Sequence, residues 1–256
     1  MSSPHVTQPN DGFGPPVRQG DWLVRAAGPG ERASLAALRG LAFRGGGRDG
    51  DAFDARCLHL WVEKRSARHI GPLATARLQI HPPGDVGHGY AAQYFDLRAL
   101  AAAPGAALEL GRLCVHPDHA TPQALRMIWA GVTRVADRAG AARLIGCTSF
   151  TGTEPSEFEA ALNLLAARHL GPAPLRPAAV ASETINFAAR PAAPPGPEAR
   201  NQMPPLLRGY LSLGGWVGGQ LVIDRDLGTC HVFTCVEIAT MPEPRKKLLR
   251  ALAGTG

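Results

Sequence analysis

The chain has 256 residues, of which 45% are hydrophobic, so it is long enough for one large core or for a core with an appended subdomain. Its formal net charge is +6, which suits nucleic acid, an anionic lipid surface or an acidic protein, although a general use of Arg for solubility gives the same charge. No apolar run of about 18 residues is present and "MSSPHVTQPNDGFGPP" holds no apolar stretch, which excludes a membrane-spanning helix and predicts that there is no signal peptide.

The predicted elements start after a tail rich in Gly and Pro. That composition predicts a disordered tail over residues 1–20, and its return later in the chain predicts a Pro-rich connection over 171–203. Between them, over 21–170, "DWLVRAA" predicts a strand and "GERASLAALRGLAFR" a helix. The segments "LHLWVEKR" and "IGPLATARLQIH" alternate between apolar and polar residues, which predicts an antiparallel hairpin.

The clearest helix of the chain is "TPQALRMIWAGVTRVADRAG", which follows the strand candidate "ALELGRLCVH". Thr121 is a good N-cap residue, Pro122 fits the first helical position, and Gly140 is expected at the end. This helix therefore joins two strands that are expected to pair in parallel.

The strand after that helix, "ARLIGCTSF", is a nearly continuous apolar run, which is typical of a strand buried on both faces. The segment "EPSEFEAALNLLAARHLG" predicts a further amphipathic helix. Residues 204–256 predict a helix and two strands that complete the same domain. The order of elements predicts an α/β protein with a mixed seven-strand sheet and helices on both faces.

Charged residues stand out at several points of this order. Arg39 and Phe43 share one helix face, and taken alone they favour a solvated Arg beside a core Phe. Asp51 and Asp54 flank Phe53 in a Gly-rich loop, either as turn caps or as a site for a cationic group such as a substrate amine. Metal binding there is weakly supported, because no third ligand follows at a regular spacing.

Two further strands carry charges. Arg77 in "LATARLQI" needs an anionic partner if it lies in the sheet interior, and needs none on a solvated side. Glu109 and Arg112 in "ELGRLCVHPDH" are three apart, so a regular strand would point them to opposite faces. His116 and His119 of the same stretch fit a Pro-Asp turn better than a metal site.

Taken in order, these motifs resemble the acyl-carrier-dependent branch of the GNAT N-acyltransferases. The segments "FDARCLHLWVEK", "YFDL", "ELGRLCVHPDH", "LIGCTSFTGT" and "PPLLRGYLSLGGWVGG" are similar to the L-ornithine Nα-acyltransferases of ornithine-lipid synthesis, over about residues 22–240. The related acyl-homoserine lactone synthases are shorter, and the aromatic residue that they place before their acids is missing here. "HPDH" is followed by "ATPQAL" and not by the pyrophosphate loop of many GNAT enzymes, which an acyl carrier protein as donor permits.

The resemblance implies a GNAT-like, mostly antiparallel sheet with a splayed gap between the fourth and fifth strands. A 3-hydroxyacyl group, carried on the phosphopantetheine of acyl carrier protein, would move to the α-amine of L-ornithine and give lyso-ornithine lipid. The residues implied to be catalytic are Glu109, as the base, with Arg112 and Asp54. The residues implied to bind substrate are Arg39, Phe43, Asp51, Arg77, Gly111, Leu113, Cys114, Val115 and Ser149.

The resemblance also suggests how Glu109 and Arg112 share a side of the strand. GNAT fourth strands usually carry a β-bulge, and Gly111 is the natural place for it here. A bulge adds one residue, so both side chains would turn toward the cleft. The amides of Gly111–Leu113 would then polarise the thioester carbonyl.

The implied partners are acyl carrier protein, ornithine, a second acyltransferase acting downstream, and an anionic membrane surface near the basic "PRKKLLR". No cofactor, metal or nucleic acid is expected. Cysteines that are odd in number and lack CxxC spacing favour reduced thiols in a cytoplasmic protein. The resemblance to enzymes of lipid synthesis implies, in addition, an association with the inner face of the plasma membrane. Three alternatives stay open: transfer to another amino acid such as glutamine, acyl-homoserine lactone synthesis, and a non-catalytic acyl-carrier binding module.

Overall fold

The computed structural model describes residues 12–190 and 196–255. These residues form one mixed sheet of nine strands in the order β1-β2-β3-β4-β5-β6-β9-β8-β7. The strands are β1 Val17–Gln19, β2 Trp22–Ala26, β3 Leu58–Lys64, β4 Ala74–His81, β5 Ala106–Val115, β6 Ala141–Thr151, β7 Thr184–Asn186, β8 Trp216–Asp224 and β9 Thr229–Glu237. The helices are α1 Arg32–Arg44, α2 Arg98–Ala102, α3 Pro122–Arg138, α4 Glu159–Arg168, α5 Ala199–Gln202, α6 Pro205–Ser212 and α7 Glu243–Ala253.

The prediction of seven strands is wrong, because two short edge strands were not recognised. Strand β1 lies in the predicted tail and pairs antiparallel with β2, while β7 lies in the predicted connection and pairs antiparallel with β8. Each is three residues long, too short to show an alternating pattern, and each is held by the ladder of its neighbour. Residues 1–11 of the predicted tail and 191–195 of the connection lie outside the described residues.

The predicted hairpin and the predicted central helix are confirmed. Strands β3 and β4 pair antiparallel, with Leu58 opposite Leu78 and Val62 opposite Ala74. Thr121 Oγ1 accepts a hydrogen bond from the Ala124 amide at 3.2 Å and so caps α3. A Cβ on Gly131 would lie only 2.9 Å from the Leu60 side chain, so this glycine lets α3 pack closely on β3.

Contacts between Cα atoms divide the chain into two compact units. Of the described residues, the first unit comprises 12–79, Leu110–Gly140 and 246–255. The second comprises Ile80–Glu109 and Ala141–Arg245.

The second unit is covered on both faces of its strands, as predicted for "ARLIGCTSF". Phe150 of β6 and Val232 of β9 belong to one apolar cluster, together with Leu162 of α4. Ile145 of β6 and Phe233 of β9 belong to another cluster. Because alternate residues of a strand point to opposite faces, these strands are buried on both sides.

Strands β5 and β6 pair in parallel over a short stretch. Their ladder runs from Ala106 opposite Ala141 to Glu109 opposite Ile145. Strand β5 continues to Val115 and β6 to Thr151. The gap predicted between these two strands stays a prediction.

Candidate active site

In the first unit, the turn that carries Asp51 and Asp54 is fixed by its own acids. Asp51 Oδ1 accepts a hydrogen bond from the Phe53 amide at 2.9 Å, and Asp54 Oδ2 accepts one from the Asp51 amide at 3.4 Å. The two carboxylates thus form a capping box around a short 3-10 turn. Turn capping, one of the two interpretations of these acids, is confirmed.

Arg39 is buried rather than solvated, with 2% of its side chain exposed, so the interpretation of a solvated Arg is wrong. Its Nε and Nη2 donate to the carbonyl oxygen of Asp49 at 3.1 and 2.6 Å, and its Nη1 donates to Asp54 Oδ1 at 2.9 Å. A buried guanidinium needs such acceptors, because its desolvation is otherwise uncompensated. Phe43, four residues later, is half-buried.

Asp49 was not recognised as a site residue, although it is the most buried acid of the loop, with 1% exposure. Its Oδ2 accepts from Arg112 Nε at 2.9 Å and its Oδ1 from Arg44 Nε at 3.2 Å. The Asp49 amide donates to the carbonyl of Ala36 in α1 at 2.9 Å, so the Gly-rich loop lies directly on that helix. The signal that predicts this position is a third acid in the same loop as Asp51 and Asp54.

Arg77 has the anionic partners that its burial requires. Its side chain is 3% exposed, and its Nη1 donates to Asp51 Oδ1 and, at 2.8 Å, to Asp54 Oδ1. Arg112 Nη2 lies 3.4 Å from Asp51 Oδ2. We call these residues the acid–arginine cluster: Arg39, Asp49, Asp51, Asp54, Arg77 and Arg112. Its three positive and three negative charges balance, so the arginines order the acids by ion pairing.

Asp54 is held as an anion within this cluster. Burial acts to raise the pKa of its carboxyl group, but hydrogen bonds from Arg39 and Arg77 outweigh burial and hold that pKa well below its usual range. The pKa of the Arg77 guanidinium is raised in turn, because its bonds to Asp51 and Asp54 outweigh the opposing effect of burial. Asp54 is therefore a fixed negative charge at neutral pH and a poor proton acceptor.

Asp54→Asn is expected to reduce the acid sensitivity of the fold. Because the folded-state pKa of Asp54 lies below its unfolded value of about 4, the stability that the anion contributes is present above that pH and is lost as the pH falls toward the folded-state pKa. Thermal unfolding followed from about pH 7 to about pH 2 should therefore show a shallower fall in Tm for the variant than for the wild type. Parallel curves would contradict this assignment.

In the second unit, Glu109 is a buried carboxylate, 4% exposed, with a donor on each oxygen. Oε1 accepts from the Ala91 amide at 2.6 Å, and Oε2 accepts from the Tyr90 amide at 3.0 Å. His81 Nε2 lies 2.9 Å from Oε2. We call Glu109, His81 and the segment Gly89–Ala91 the Glu109 pocket. His81 was not among the predicted site residues; its place four residues after Arg77 in an alternating strand is the signal for it.

Gly89 is the position where the Glu109 pocket has no room for a side chain. A Cβ there would overlap Glu109 Oε2 and would lie 2.9 Å from His81 Cε1 and Nε2. Since three donors hold the carboxylate, it has little freedom to move aside. The absence of a Cβ at residue 89 is therefore a condition of this arrangement.

Gly89→Ala is expected to lower the free energy of unfolding by about 1–3 kcal/mol, the usual penalty of overpacking a buried position. Urea unfolding measures this loss. Gly87→Ala is the matched control, because Gly87 belongs to the same segment and a Cβ there meets nothing within 4 Å. Equal stability of the two variants would contradict the close packing of the Glu109 pocket.

The irregular backbone of β5 lies at Arg112 rather than at Gly111. Arg112 has a φ of 48°, in the left-handed region, whereas Gly111 is not among the described glycines with positive φ. A non-glycine residue adopts this conformation only when its surroundings hold it there. The ion pairs of Arg112 with Asp49 and Asp51 supply that restraint. The regular alternation of the strand is thus interrupted between Glu109 and Arg112.

The other predicted site residues lie on β5 and β6. Gly111, Leu113 and Val115 are half-buried, and Ser149 is exposed on β6 opposite His231 of β9. Cys114 is buried, and burial raises the pKa of its thiol to about 12. This cysteine therefore stays protonated, as expected for a core residue and not for a nucleophile. Substrate binding by these residues stays a prediction.

The "HPDH" stretch has turn chemistry, as predicted. His116 Nδ1 accepts from the Asp118 amide at 3.3 Å, which closes the turn before α3. Among the described residues, no group of three or more His, Cys, Asp or Glu side chains is arranged to hold a metal ion. None of the helices in residues 12–190 and 196–255 has the length and apolar character needed to cross a membrane.

Comparison with known proteins places these features in context. The acetyltransferase (GNAT) domain family matches residues 38–130, in agreement with the predicted GNAT-like fold class. The L-ornithine N(alpha)-acyltransferase of Rhodobacter capsulatus is 33% identical over 173 residues, which cover 67% of this chain and 66% of that protein. The protein of the same name from Agrobacterium fabrum is 31% identical over 210 residues, which cover 76% of this chain and 69% of that protein. The chain spans about two thirds of the length of these relatives.

Among solved structures, FeeM, an N-acyl amino acid synthase from uncultured soil microbes, superposes with a TM-score of 0.49 and 12% identity. The superposition covers 94% of this chain and 99% of that chain. A CoA-dependent acyl-homoserine lactone synthase, MesI, gives a TM-score of 0.39 and 13% identity, with 82% of this chain and 75% of that chain covered.

Proposed function

Since the chain belongs to the L-ornithine Nα-acyltransferase family, we propose that it transfers a 3-hydroxyacyl group from a thioester to the α-amine of L-ornithine. Identity of 31–33% to relatives of that name, over two thirds or more of this chain, is the observation that carries the proposal. The GNAT domain within residues 38–130 agrees with acyl transfer as the reaction class. The product is an N-acyl amino acid, and its free 3-hydroxyl group is the position at which a second acyltransferase would act downstream.

The chemistry requires a group that removes a proton from the amine. An α-amine has a pKa of about 8, so at neutral pH it is mostly an ammonium ion and cannot attack a carbonyl carbon. Loss of one proton to the base frees the nitrogen lone pair, and the nitrogen bonds to the thioester carbon. The carbon–sulfur bond then breaks, the nitrogen loses a second proton to give the neutral amide, and the thiolate leaving group takes up a proton. We assign proton removal to Glu109, because it is a buried carboxylate that three hydrogen-bond partners hold in a fixed position.

The acid–arginine cluster enters the proposal as the element that recognises charged groups of the amino acid. We propose Asp51 as the member that receives an ammonium group, since its Oδ2 accepts no hydrogen bond from the described residues and pairs with Arg112 Nη2 only at 3.4 Å. An ammonium group is the natural donor for such an oxygen. Asp54 and Arg77 hold this turn in place through their own ion pairs.

The acyl donor is proposed to be acyl carrier protein. The segment "ATPQAL" after "HPDH" does not offer the glycine-rich pyrophosphate loop that CoA binding uses in many GNAT enzymes, and the net charge of +6 suits an acidic protein. We further propose that α7, which carries "PRKKLLR", contacts anionic lipid. Lys247 and Leu248 of this helix are exposed, so a basic and an apolar side chain are both available to a membrane surface.

The experiment that tests the function is incubation of the purified chain with 3-hydroxyacyl carrier protein and a panel of amino acids, read by mass spectrometry. Ornithine is expected to give the N-acyl product. Acylation of glutamine in place of ornithine would reassign the acceptor, and a lactone product would indicate a signal synthase. If the chain binds the carrier protein but acylates nothing, it is a binding module and the proposed function fails.

Salt is expected to weaken the reaction with acyl carrier protein more than the reaction with an acyl-pantetheine thioester. Charge attraction between a basic protein and an acidic one is screened over about 10 Å at 0.1 M salt. The comparison is kcat/KM for each donor at low and at physiological ionic strength. Equal salt dependence of the two donors would argue against recognition of the carrier by charge.

A further inference from the structure

His81 is a buried imidazole. One of its ring nitrogens contacts Glu109, and the other has no hydrogen-bond partner among the described residues. His81 is the last residue of β4, and its side chain is 0% exposed. Nε2 lies 2.9 Å from Glu109 Oε2, while Nδ1 is buried and forms no hydrogen bond within the described residues. A buried polar atom without a partner is rare enough in a folded protein to require an explanation.

The partner of Nε2 determines the tautomer. An ionised carboxylate only accepts hydrogen bonds, so Nε2 carries the proton and donates it to Glu109 Oε2. In the tautomer that carries its proton on Nε2, Nδ1 holds a lone pair. An acceptor left unpaired is tolerated more often in protein interiors than an unpaired donor, which favours the same tautomer.

The three donors described for Glu109 leave a position on its carboxylate for a substrate proton. A carboxylate has about four acceptor positions, and the Tyr90 amide, the Ala91 amide and His81 take three of them. Two of these bonds occupy Oε2 and one occupies Oε1, so the remaining position is on Oε1. We propose that His81 is a positioning residue, whose Nε2–H holds Oε2 of Glu109 and thereby directs Oε1 to the amine. This inference rests on the proposed function, because it assigns the amine proton to Glu109.

Two tyrosines also belong to the surroundings of this pair. Tyr90 contributes its backbone amide, and Tyr210 of α6 is a buried phenol whose pKa is raised by burial first and also by neighbouring groups that include Glu109. The contact of His81 differs from these, because its ring nitrogen lies at hydrogen-bond distance from a carboxylate oxygen of Glu109.

Two substitutions separate positioning from simple packing. His81→Leu fills the space without a donor, and His81→Gln places an amide N–H near the position of Nε2. For His81→Leu we expect kcat to fall at least about tenfold, while KM for both substrates stays within about twofold. The acid limb of the kcat/KM profile is expected to move to higher pH by about one unit, because the carboxylate anion loses a donor. His81→Gln is expected to recover most of kcat and the wild-type limb.

A purely structural His81 would give a different result. Both variants would then lose stability together, the pH profile would not move, and His81→Gln would give no rescue; that pattern overturns the inference. Thermal unfolding of each variant establishes that the assayed protein is folded.

A second measurement does not depend on turnover. The ¹⁵N chemical shifts of the His81 ring in the wild-type chain report which nitrogen carries a proton, and a proton on Nε2 is expected. A ring protonated at Nδ1 overturns the inference whatever the activity. If the wild-type chain acylates no amino acid, the proposed function fails, and the role of Glu109 as the base fails with it. The NMR result then reports on the hydrogen bond between His81 and Glu109 and not on catalysis.

Discussion

Glu109→Gln is expected to lower kcat by at least about 100-fold, since general base catalysis contributes about 10²–10⁴-fold and an amide cannot accept the amine proton. The fold should survive with reduced stability. The amide oxygen can replace one carboxylate oxygen, but the amide NH₂ then faces a backbone N–H of Tyr90 or Ala91, which costs about 1–3 kcal/mol. Single-turnover measurements with preformed 3-hydroxyacyl carrier protein separate loss of chemistry from loss of binding.

The control for that variant is Glu63→Gln in the other unit. Glu63 is also a buried strand glutamate, 9% exposed, and it accepts from Trp61 Nε1 at 2.8 Å and Arg68 Nε at 3.2 Å. It is expected to lose stability to a similar degree but to retain turnover at a temperature where it is folded. Full activity of Glu109→Gln would remove Glu109 from the mechanism, and equal loss in both variants would assign the effect to stability.

Asp49→Asn is expected to lower the free energy of unfolding by about 3 kcal/mol, at the lower end of the range for breaking one side of a buried ion pair. Asp49 is 1% exposed and lies within 2.9–3.4 Å of guanidinium nitrogens of Arg112, Arg44 and Arg39. Its neutralisation leaves the buried arginines with excess positive charge. The loss is limited because Arg39 and Arg112 each keep a second carboxylate, in Asp54 and Asp51. Urea unfolding with a fitted m value provides the measurement.

Glu183→Gln is the matched control, because Glu183 forms an ion pair with Arg225 at 2.6 Å on the surface. Exposed ion pairs add little to stability, since solvent screens them, so this variant is expected to unfold at nearly the wild-type urea concentration. An Asp49→Asn variant as stable as Glu183→Gln would show that the acid–arginine cluster is not a stabilising element. Activity measured on folded Asp49→Asn then reports separately on substrate recognition.

Local patterns in the sequence were sufficient where one residue type had one physical meaning. Thr121 followed by Pro122 predicted the start of α3, because few other residues cap a helix in this way. The apolar run of β6 predicted burial on both faces, and both clusters that cover it are present. The two three-residue strands were missed because their existence depends on a neighbouring strand and not on their own sequence.

The charged residues also fall into two groups, those that the sequence singled out and those that only the structure revealed. The resemblance singled out Glu109, Asp51, Asp54 and Arg77, but Asp49 and His81 were not predicted, although each makes contacts as close as theirs. Nothing in a linear pattern distinguishes a loop acid that faces solvent from one enclosed by guanidinium groups. Arg39 is the clearest case, because its position alone favoured a solvated side chain and its acceptors come from a separate loop.

By itself, the sequence determined the order of most elements, the hairpin and the capped α3, because these depend on interactions between residues close in the chain. Its motifs also carried the resemblance to a family of N-acyltransferases. Tertiary structure decided which charges are buried, which atoms of Glu109 are occupied, and that the left-handed residue of β5 is Arg112 and not Gly111. The physical reason is that desolvation, ion pairing and backbone strain depend on partners distant in sequence. The left-handed Arg112 is held by its surroundings, which include its ion pairs with Asp49 and Asp51.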